Sequence, residues 1–157
     1  MRRLGLLALL VALLPLGAAA QTPDDTTHFV HISPAIGVHY GAPLRFSIAA
    51  GGLFDFSDNR NDGIIAMGEM GQSGGQLSIG YFRMLRFGQG FDLRVAVLRT
   101  ADDPWKAAES TTYVGAEAHL MFLVGVGGRV GWFRRVTAVN DGKPYDNVGM
   151  FGVSIGL

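Results

Sequence analysis

The last stretch of the chain, from Asn147 to Leu157, has the pattern of a β-strand. Its bulky apolar residues occupy every second position, at Phe151, Val153, Ile155 and Leu157. The positions between them hold only Gly and Ser. Because the side chains of a strand point alternately to its two faces, this period of two predicts a strand with one apolar and one small, polar face. A strand at the end of a chain needs a hydrogen-bonding neighbour, and we expect the first strand of a closed barrel to supply it.

The same alternation recurs along the chain after residue 27, interrupted by clusters of Gly, Pro, Asn, Asp and Ser. The predicted strands are Phe29–Tyr40, Leu44–Phe56, Ile64–Gln72, Gln76–Met84, Phe91–Arg99, Thr111–Met121, Val124–Arg135 and Asn147–Leu157. The phase of the third is ambiguous because Ile64 and Ile65 are adjacent, and the turn near Phe122 and Leu123 is inferred from strand length alone. Eight alternating strands without a helical period predict an all-β fold, an eight-stranded antiparallel up-and-down β-barrel over residues 28–157.

The N-terminal residues 1–20 have the pattern of a secretory signal peptide. Two arginines precede the apolar run Leu4–Leu13, which is too short to cross a membrane, and Ala18 and Ala20 fit the small-residue cleavage site. The polar segment 21–27 that follows is predicted to be flexible. The chain has no cysteine, which excludes a lipid-anchored lipoprotein and a disulfide framework. We therefore expect an exported protein.

The charge composition argues against nucleic-acid binding and separates the two faces of the strands. Lys and Arg together number 13, as do Asp and Glu, so there is no basic excess. Charged residues make up 17% of the chain, against about 25% in soluble domains, and many of them fall in predicted loops. A group of the charges that remain on the strands lies on the polar face. The predicted polar network consists of Arg45, Glu69, Asp92, Arg94, Glu117, His119 and Arg129, with His31 and His39 beside it.

Three features predict that this polar face points into the barrel while the apolar face meets lipid. The polar face is rich in Gly, Ala and Ser, which fit the narrow interior of an eight-stranded barrel. Its basic and acidic residues nearly balance, as buried charges must. Aromatic residues lie toward the strand ends, as in the girdles of membrane barrels: Tyr40, Phe54, Phe56, Tyr81, Phe91, Phe122, Trp132 and Phe151. We therefore expect the barrel to be of the transmembrane type, with a plugged polar lumen.

With these features, residues 28–157 resemble the small eight-stranded outer-membrane β-barrels of bacteria. The resemblance implies a monomer inserted in the outer membrane and surrounded by its lipid. It also implies that the terminal strand is the signal recognised by the barrel-assembly machinery, through Phe151, Val153, Ile155 and Leu157; that class usually ends on Phe, and this chain ends on Leu. The longer loops Thr100–Ser110 and Thr137–Asp146 would face outward.

One pair of residues, His31 and Ser33, resembles the His-x-Ser pair of outer-membrane lipid A deacylases. A hydrolase of that kind would need a carboxylate to orient the histidine, and Glu69 or Glu117 would supply it. Pro34 stands where that family has Asn, and side chains two apart on a strand are too distant for a direct hydrogen bond without distortion. Polar packing in the lumen is therefore favoured, and we predict no catalytic residue.

No metal or cofactor is predicted either, since His31 and His39 would lie about 26 Å apart along one strand and cannot share an ion. The sequence thus favours a non-enzymatic outer-membrane barrel with a structural or surface-interaction role. The alternative is a secreted or periplasmic lipocalin-like barrel, in which the apolar face would line a ligand cavity. A barrel lipid hydrolase is the third hypothesis.

Overall fold

The chain forms a closed barrel of eight antiparallel strands, each hydrogen-bonded to its neighbour in the sequence, and the last strand pairs with the first. This architecture is seen in a computed structural model that describes residues 31–56, 61–123, 125–137 and 145–156. The strands are β1 (His31–Ala42), β2 (Arg45–Asp55), β3 (Asp62–Gly71), β4 (Gly74–Met84), β5 (Gly90–Thr100), β6 (Thr112–Leu123), β7 (Val126–Arg135) and β8 (Asn147–Gly156). The predicted all-β, up-and-down barrel is therefore confirmed.

The signal peptide predicted for residues 1–20 and the flexible segment predicted for 21–27 lie outside the described residues. No helix in the described part of the chain is long and apolar enough to cross a membrane. The helical residues described are a single 3-10 turn, Arg86–Gly88, between β4 and β5.

The connections between strands define two ends of the barrel. The first strand begins and the last strand ends at one of them, which we call the terminal end. The opposite end, the loop end, carries the β1–β2 and β3–β4 turns and the two longer connections, 101–111 and 136–146. Of the latter, only 101–111 is described throughout.

Two local predictions are wrong, and both concern backbone conformation. Phe122 and Leu123 do not form a turn but belong to β6, and the chain reverses two residues later, where Gly125 has φ +76°. The predicted strand Leu44–Phe56 continues the alternation to Leu44 and so places it on the outer face with Phe46, but Leu44 is completely buried. It precedes β2, and the positive φ of Arg45 (62°) interrupts the alternation between the turn and the strand.

The ambiguous third strand has a clear phase in the structure. Ile65, Met67 and Glu69 are buried in the interior, whereas Ile64 and Met70 lie on the outer side. This phase follows from the ladder between β2 and β3, which pairs the inward Leu53 with Ile65.

The seam between β1 and β8 is shorter than the β1–β2 ladder. Among the described residues, β8 pairs with β1 from Gly37 to Ala42, whereas β2 pairs with β1 from His31 to Gly41. Pro34 therefore lies in the part of β1 that has a ladder neighbour on one side only. A proline has no backbone N–H, so a position with one neighbour tolerates it.

The interior is filled in three zones. Near the terminal end, inward side chains of β1–β4 form an apolar cluster of Ala35, Ala49, Leu53, Ile65, Met67 and Phe82. Near the loop end a second cluster contains Leu44, Ala96, Leu98, Ala107, Tyr113, Phe133, Val148 and Met150. Between them runs a band of buried polar side chains to which all eight strands contribute.

The outer wall of the barrel is apolar on every strand. The large outward side chains are Ile32, Ile36, Val38, Tyr40, Phe46, Ile48, Met70, Leu77, Ile79, Tyr81, Leu93, Val95, Val97, Val114, Leu120, Phe122, Val126, Val130, Trp132, Phe151, Val153 and Ile155, each at least 36% exposed. The usual burial pattern of a water-soluble protein is therefore inverted on the strands, with paired charges inside and hydrocarbon outside.

Candidate functional site

The polar band across the middle of the barrel is the candidate site. Its members are His39, Ser47, Glu69, Gln76, Ser78, Asp92, Arg94, Glu117, His119, Arg129 and Ser154, and none is more than 9% exposed. They sit at inward positions of the alternating strands, so the same period of two that builds the outer wall also builds the band.

Glu69 on β3 is the best-partnered acid of the band. Oγ of Ser47 donates a hydrogen bond to its Oε1, and Nη1 of Arg129 donates to its Oε2 at 2.6 Å. Nδ1 of His39 lies 3.2 Å from the same Oε2 and 2.9 Å from Nη1 of Arg129. Three side chains from β1, β3 and β7 thus meet at one carboxylate oxygen and join opposite walls of the barrel.

Glycines provide the space for this contact across the lumen. In the ladders, Gly152 is the partner of Arg129, and Gly41 is the partner of Gly152. A Cβ on Gly41 would come within 2.1 Å of the backbone oxygen of Phe151, so no other residue fits without moving the sheet. The large Arg129 side chain is accommodated because the strands beside it carry so little bulk.

Glu117 on β6 has a different environment. Its two carboxylate oxygens accept no hydrogen bond from any described residue, and Nε2 of His119 lies 3.7 Å from Oε1, beyond hydrogen-bonding distance. Its ladder partner on β5 is Arg94, but that guanidinium is directed at Asp92 on its own strand. There Nη2 donates to Oδ2 at 2.8 Å, and Nε lies 2.7 Å from Oδ1.

The residues around Glu69 and those around Glu117 contact each other through their histidines. The rings of His39 and His119 meet edge to face, with centroids 5.5 Å apart. Among the described residues, no three His, Asp or Glu side chains converge closely enough to hold a metal ion. The arrangement pairs most of its charges and lies between two apolar clusters, so chemically it is suited to filling and fixing the barrel interior.

Six of the predicted network residues lie in the polar band: Glu69, Asp92, Arg94, Glu117, His119 and Arg129. Ser47 and Gln76 also belong to it but were left out of the predicted network. Their inward parity on β2 and β4 was the available signal. Neither side chain carries a charge, so a prediction based on balancing charges does not include them.

Arg45 does not belong to the polar band. It lies at the loop-end rim, where Nη2 is 2.6 Å from Oδ2 of Asp103 and the guanidinium carbon is 5.7 Å from the ring centroid of Trp105. The Arg45 side chain is 31% exposed. The positive φ of Arg45 at the start of β2 places its side chain out of phase with the inward positions that follow.

The His31–Ser33 pair is not assembled as a catalytic site. His31 is exposed at the first position of β1, and no hydrogen bond joins it to Ser33 in the described part of the chain. Both carboxylates proposed as the third member, Glu69 and Glu117, lie in the polar band, where their neighbours are His39 and His119.

The predicted assembly signal lies on the outer wall as far as it is described. Phe151, Val153 and Ile155 are exposed on β8, and Leu157 lies outside the described residues. Comparison of the chain with known proteins found no matching family, no matching curated protein and no matching solved structure.

Proposed function

We propose that this chain is a non-enzymatic outer-membrane β-barrel protein with a plugged polar lumen and a structural or surface-interaction role. The observation that carries the proposal is the inverted burial of the strands. Leu77, Val130 and Ile155, on three different strands, are 70%, 59% and 64% exposed, while Arg129 is 1% exposed. In lipid such a wall has its preferred surroundings, whereas in water it would be an apolar patch far larger than soluble monomers carry.

The aromatic residues of the outer wall support the same proposal. Phe54, Tyr81, Phe91 and Phe122 lie on the terminal-end portions of their strands, and Phe56 directly follows the end of β2. Tyr40 and Trp132 lie toward the loop end, where the ring of Trp105 meets the ring of Tyr40 at 5.6 Å. Two aromatic belts separated by aliphatic residues match the two interfaces of a bilayer.

The interior argues against the lipocalin-like alternative. A barrel that binds an apolar ligand needs an apolar cavity inside. Here the middle of the lumen holds Glu69, Arg129 and other charged side chains, and apolar clusters fill the space on both sides of them.

The proposal also includes insertion by the barrel-assembly machinery through the β8 strand. Loops 101–111 and 136–146 would then lie on the outer side of the membrane.

Heat-modifiable migration is the test of this proposal. Protein extracted with detergent from the envelope fraction should migrate faster in SDS gels when unheated than when boiled, because a closed membrane barrel resists SDS. The matched control is Gly80→Val, since a Cβ at Gly80 would lie 1.9 Å from the backbone oxygen of Leu93 and prevent correct closure. Recovery of the wild-type protein in the soluble periplasmic fraction without detergent would contradict the proposal.

A further inference from the structure

The outer wall carries a groove between β6, β7 and β8 with a volume of about 440 Å³. Its floor is Gly128, which lies between Leu120 of β6 and Val153 of β8 in the ladders. A Cβ on Gly128 would meet only the backbone oxygen of Gly152, at 3.6 Å. The glycine is therefore not required by backbone packing at this position, and what it creates is open space on the outer surface.

The walls of the groove are hydrocarbon. The outward side chains that form them are Ala118, Leu120, Phe122, Val130, Phe151 and Val153. They follow three adjacent strands, so the groove accepts a narrow, flexible apolar chain without hydrogen-bonding groups.

Two cations, Lys106 and Arg134, lie on the loop-end side of the groove, and the exposed Asp146 lines the same surface as Arg134. Nζ of Lys106 lies 5.2 Å from the ring centroid of Phe151, one of the groove residues. Arg134 is exposed on β7, four residues beyond Val130, which is about 13 Å along a strand. The exposed Trp132 lies on β7 between Val130 and Arg134, and tryptophan is favoured at the level of lipid headgroups.

We propose that this groove binds one acyl chain of an anionic membrane lipid, whose headgroup phosphate is bound by Lys106, with Arg134 further along β7 on the same side. The proposal rests on the proposed function, because it needs the outer wall to face a bilayer. Its chemistry is complementary at both ends, with hydrocarbon against hydrocarbon in the groove and phosphate against the Lys106 ammonium at the interface.

A second copy of the chain is the less favourable occupant. Two copies inserted in the same direction would meet about an axis along the membrane normal, with identical patches facing each other. Lys106 and Arg134 of one copy would then lie at the same height as those of the other. The like charges would repel at the place where a lipid phosphate is attracted.

Tryptophan quenching by brominated lipids tests the proposal. Trp132 lies two residues from Val130, beside the groove. The chain has two tryptophans, so in a Trp105→Phe background all tryptophan fluorescence comes from Trp132. This protein would be reconstituted into vesicles of unlabelled phosphatidylcholine containing a small fraction of lipid with dibrominated chains, either phosphatidylglycerol or phosphatidylcholine. We expect the phosphatidylglycerol probe to quench Trp132 at lower fractions than the phosphatidylcholine probe.

The expected preference is about fivefold per cation, equivalent to about 1 kcal/mol. Lys106→Gln should reduce the preference by about that factor. Gly128→Leu should abolish it by filling the groove. Gly68→Leu on β3 is the matched control, because it adds the same side chain to the outer face of a distant strand where a Cβ meets nothing closer than 3.5 Å; it should leave the preference unchanged.

Equal quenching by both probes, or a preference that survives Gly128→Leu, would overturn the groove proposal while leaving the membrane barrel in place. No quenching by either probe would mean that the wall does not meet lipid, and the proposed function would fail together with the groove. A dimer in light scattering of the detergent-solubilised protein that Gly128→Leu dissociates, without a lipid preference, would assign the groove to a second copy instead.

Discussion

The two glutamates at the centre of the barrel are equally buried but differently partnered. Glu69 is 5% exposed and is bound by Ser47 and Arg129, with His39 beside it. Glu117 is 3% exposed and accepts no hydrogen bond from the described residues. Burial of a carboxylate is costly unless it is paired, so the closer partners of Glu69 should make it the more strongly stabilised of the two.

The difference comes from where the arginines point. Arg129 reaches across the lumen because the strands next to it carry glycines, and it meets Glu69 on the opposite wall. Arg94 lies directly opposite Glu117 in the ladder but binds Asp92 on its own strand. Proximity in the ladder therefore does not decide pairing in this lumen; the available volume and the competing acids do.

The largest effect is expected from Arg129→Met. This change leaves Glu69 buried without its cation, which should reduce the free energy of unfolding by about 3–5 kcal/mol. Urea titration of the protein folded in detergent micelles, followed by tryptophan fluorescence, measures it. The control is the double variant Arg129→Met with Glu69→Gln, which removes both charges and should recover a large part of the loss. An Arg129→Met variant as stable as wild type would show that the contact between Arg129 and Glu69 does not stabilise the barrel.

A smaller loss, about 1–3 kcal/mol, is expected for Asp92→Asn in the same titration. Arg94 loses its partner, but its ladder neighbour Glu117 offers a second carboxylate. The comparison is sharpened by Asp92→Asn combined with Glu117→Gln, where Arg94 has neither acid. The double variant should lose about 1 kcal/mol more than the sum of the single changes. Additive losses would show that Arg94 does not turn to Glu117.

At the rim, Arg45→Ala should cost about 0.5–1 kcal/mol, since both members of its ion pair with Asp103 are partly exposed and screened by water. The loss should shrink further when the titration is repeated in high salt. A loss as large as that of Arg129→Met would contradict the assignment of Arg45 to the rim.

A loss of up to about 1 kcal/mol is expected from Glu117→Gln, because no hydrogen bond to a described residue is lost and the nearest cation, Nε2 of His119, is 3.7 Å from the carboxylate. Glu69→Gln is the matched change at the other glutamate, and it should be clearly destabilising in the same titration. Equal losses in the free energy of unfolding for the two substitutions would contradict the proposed difference between Glu69 and Glu117.

Alternation in the sequence was sufficient to predict the strands and their inward faces. It gave eight strands whose bounds differ from the observed ones by a few residues at most, and it placed Glu69, Glu117 and Arg129 on the inner face. It failed where the backbone leaves the period of two, at Leu44 and Arg45, because a positive φ on a non-glycine residue has no sequence signature.

Alternation alone could not predict the contacts across the lumen. A period of two assigns a face but not a height, and the height of each residue depends on strand tilt and stagger. The meeting of Glu69 on β3 with Arg129 on β7, and of His39 with His119, depends on both. The pairing of β8 with β1 was predicted, but the alternation did not give its register, which joins Gly37 to Gly156.

The short seam has a consequence for the order of folding. Every other ladder is a hairpin between consecutive strands, whereas β1 and β8 join residues more than 100 positions apart. Hairpins close small loops quickly, and the seam must close the largest one, so it forms last. Until then the chain is an open sheet with two bare edges and one apolar side, the form most prone to aggregate. We therefore expect the lifetime of that open sheet, more than the stability of the finished barrel, to determine how much protein survives refolding.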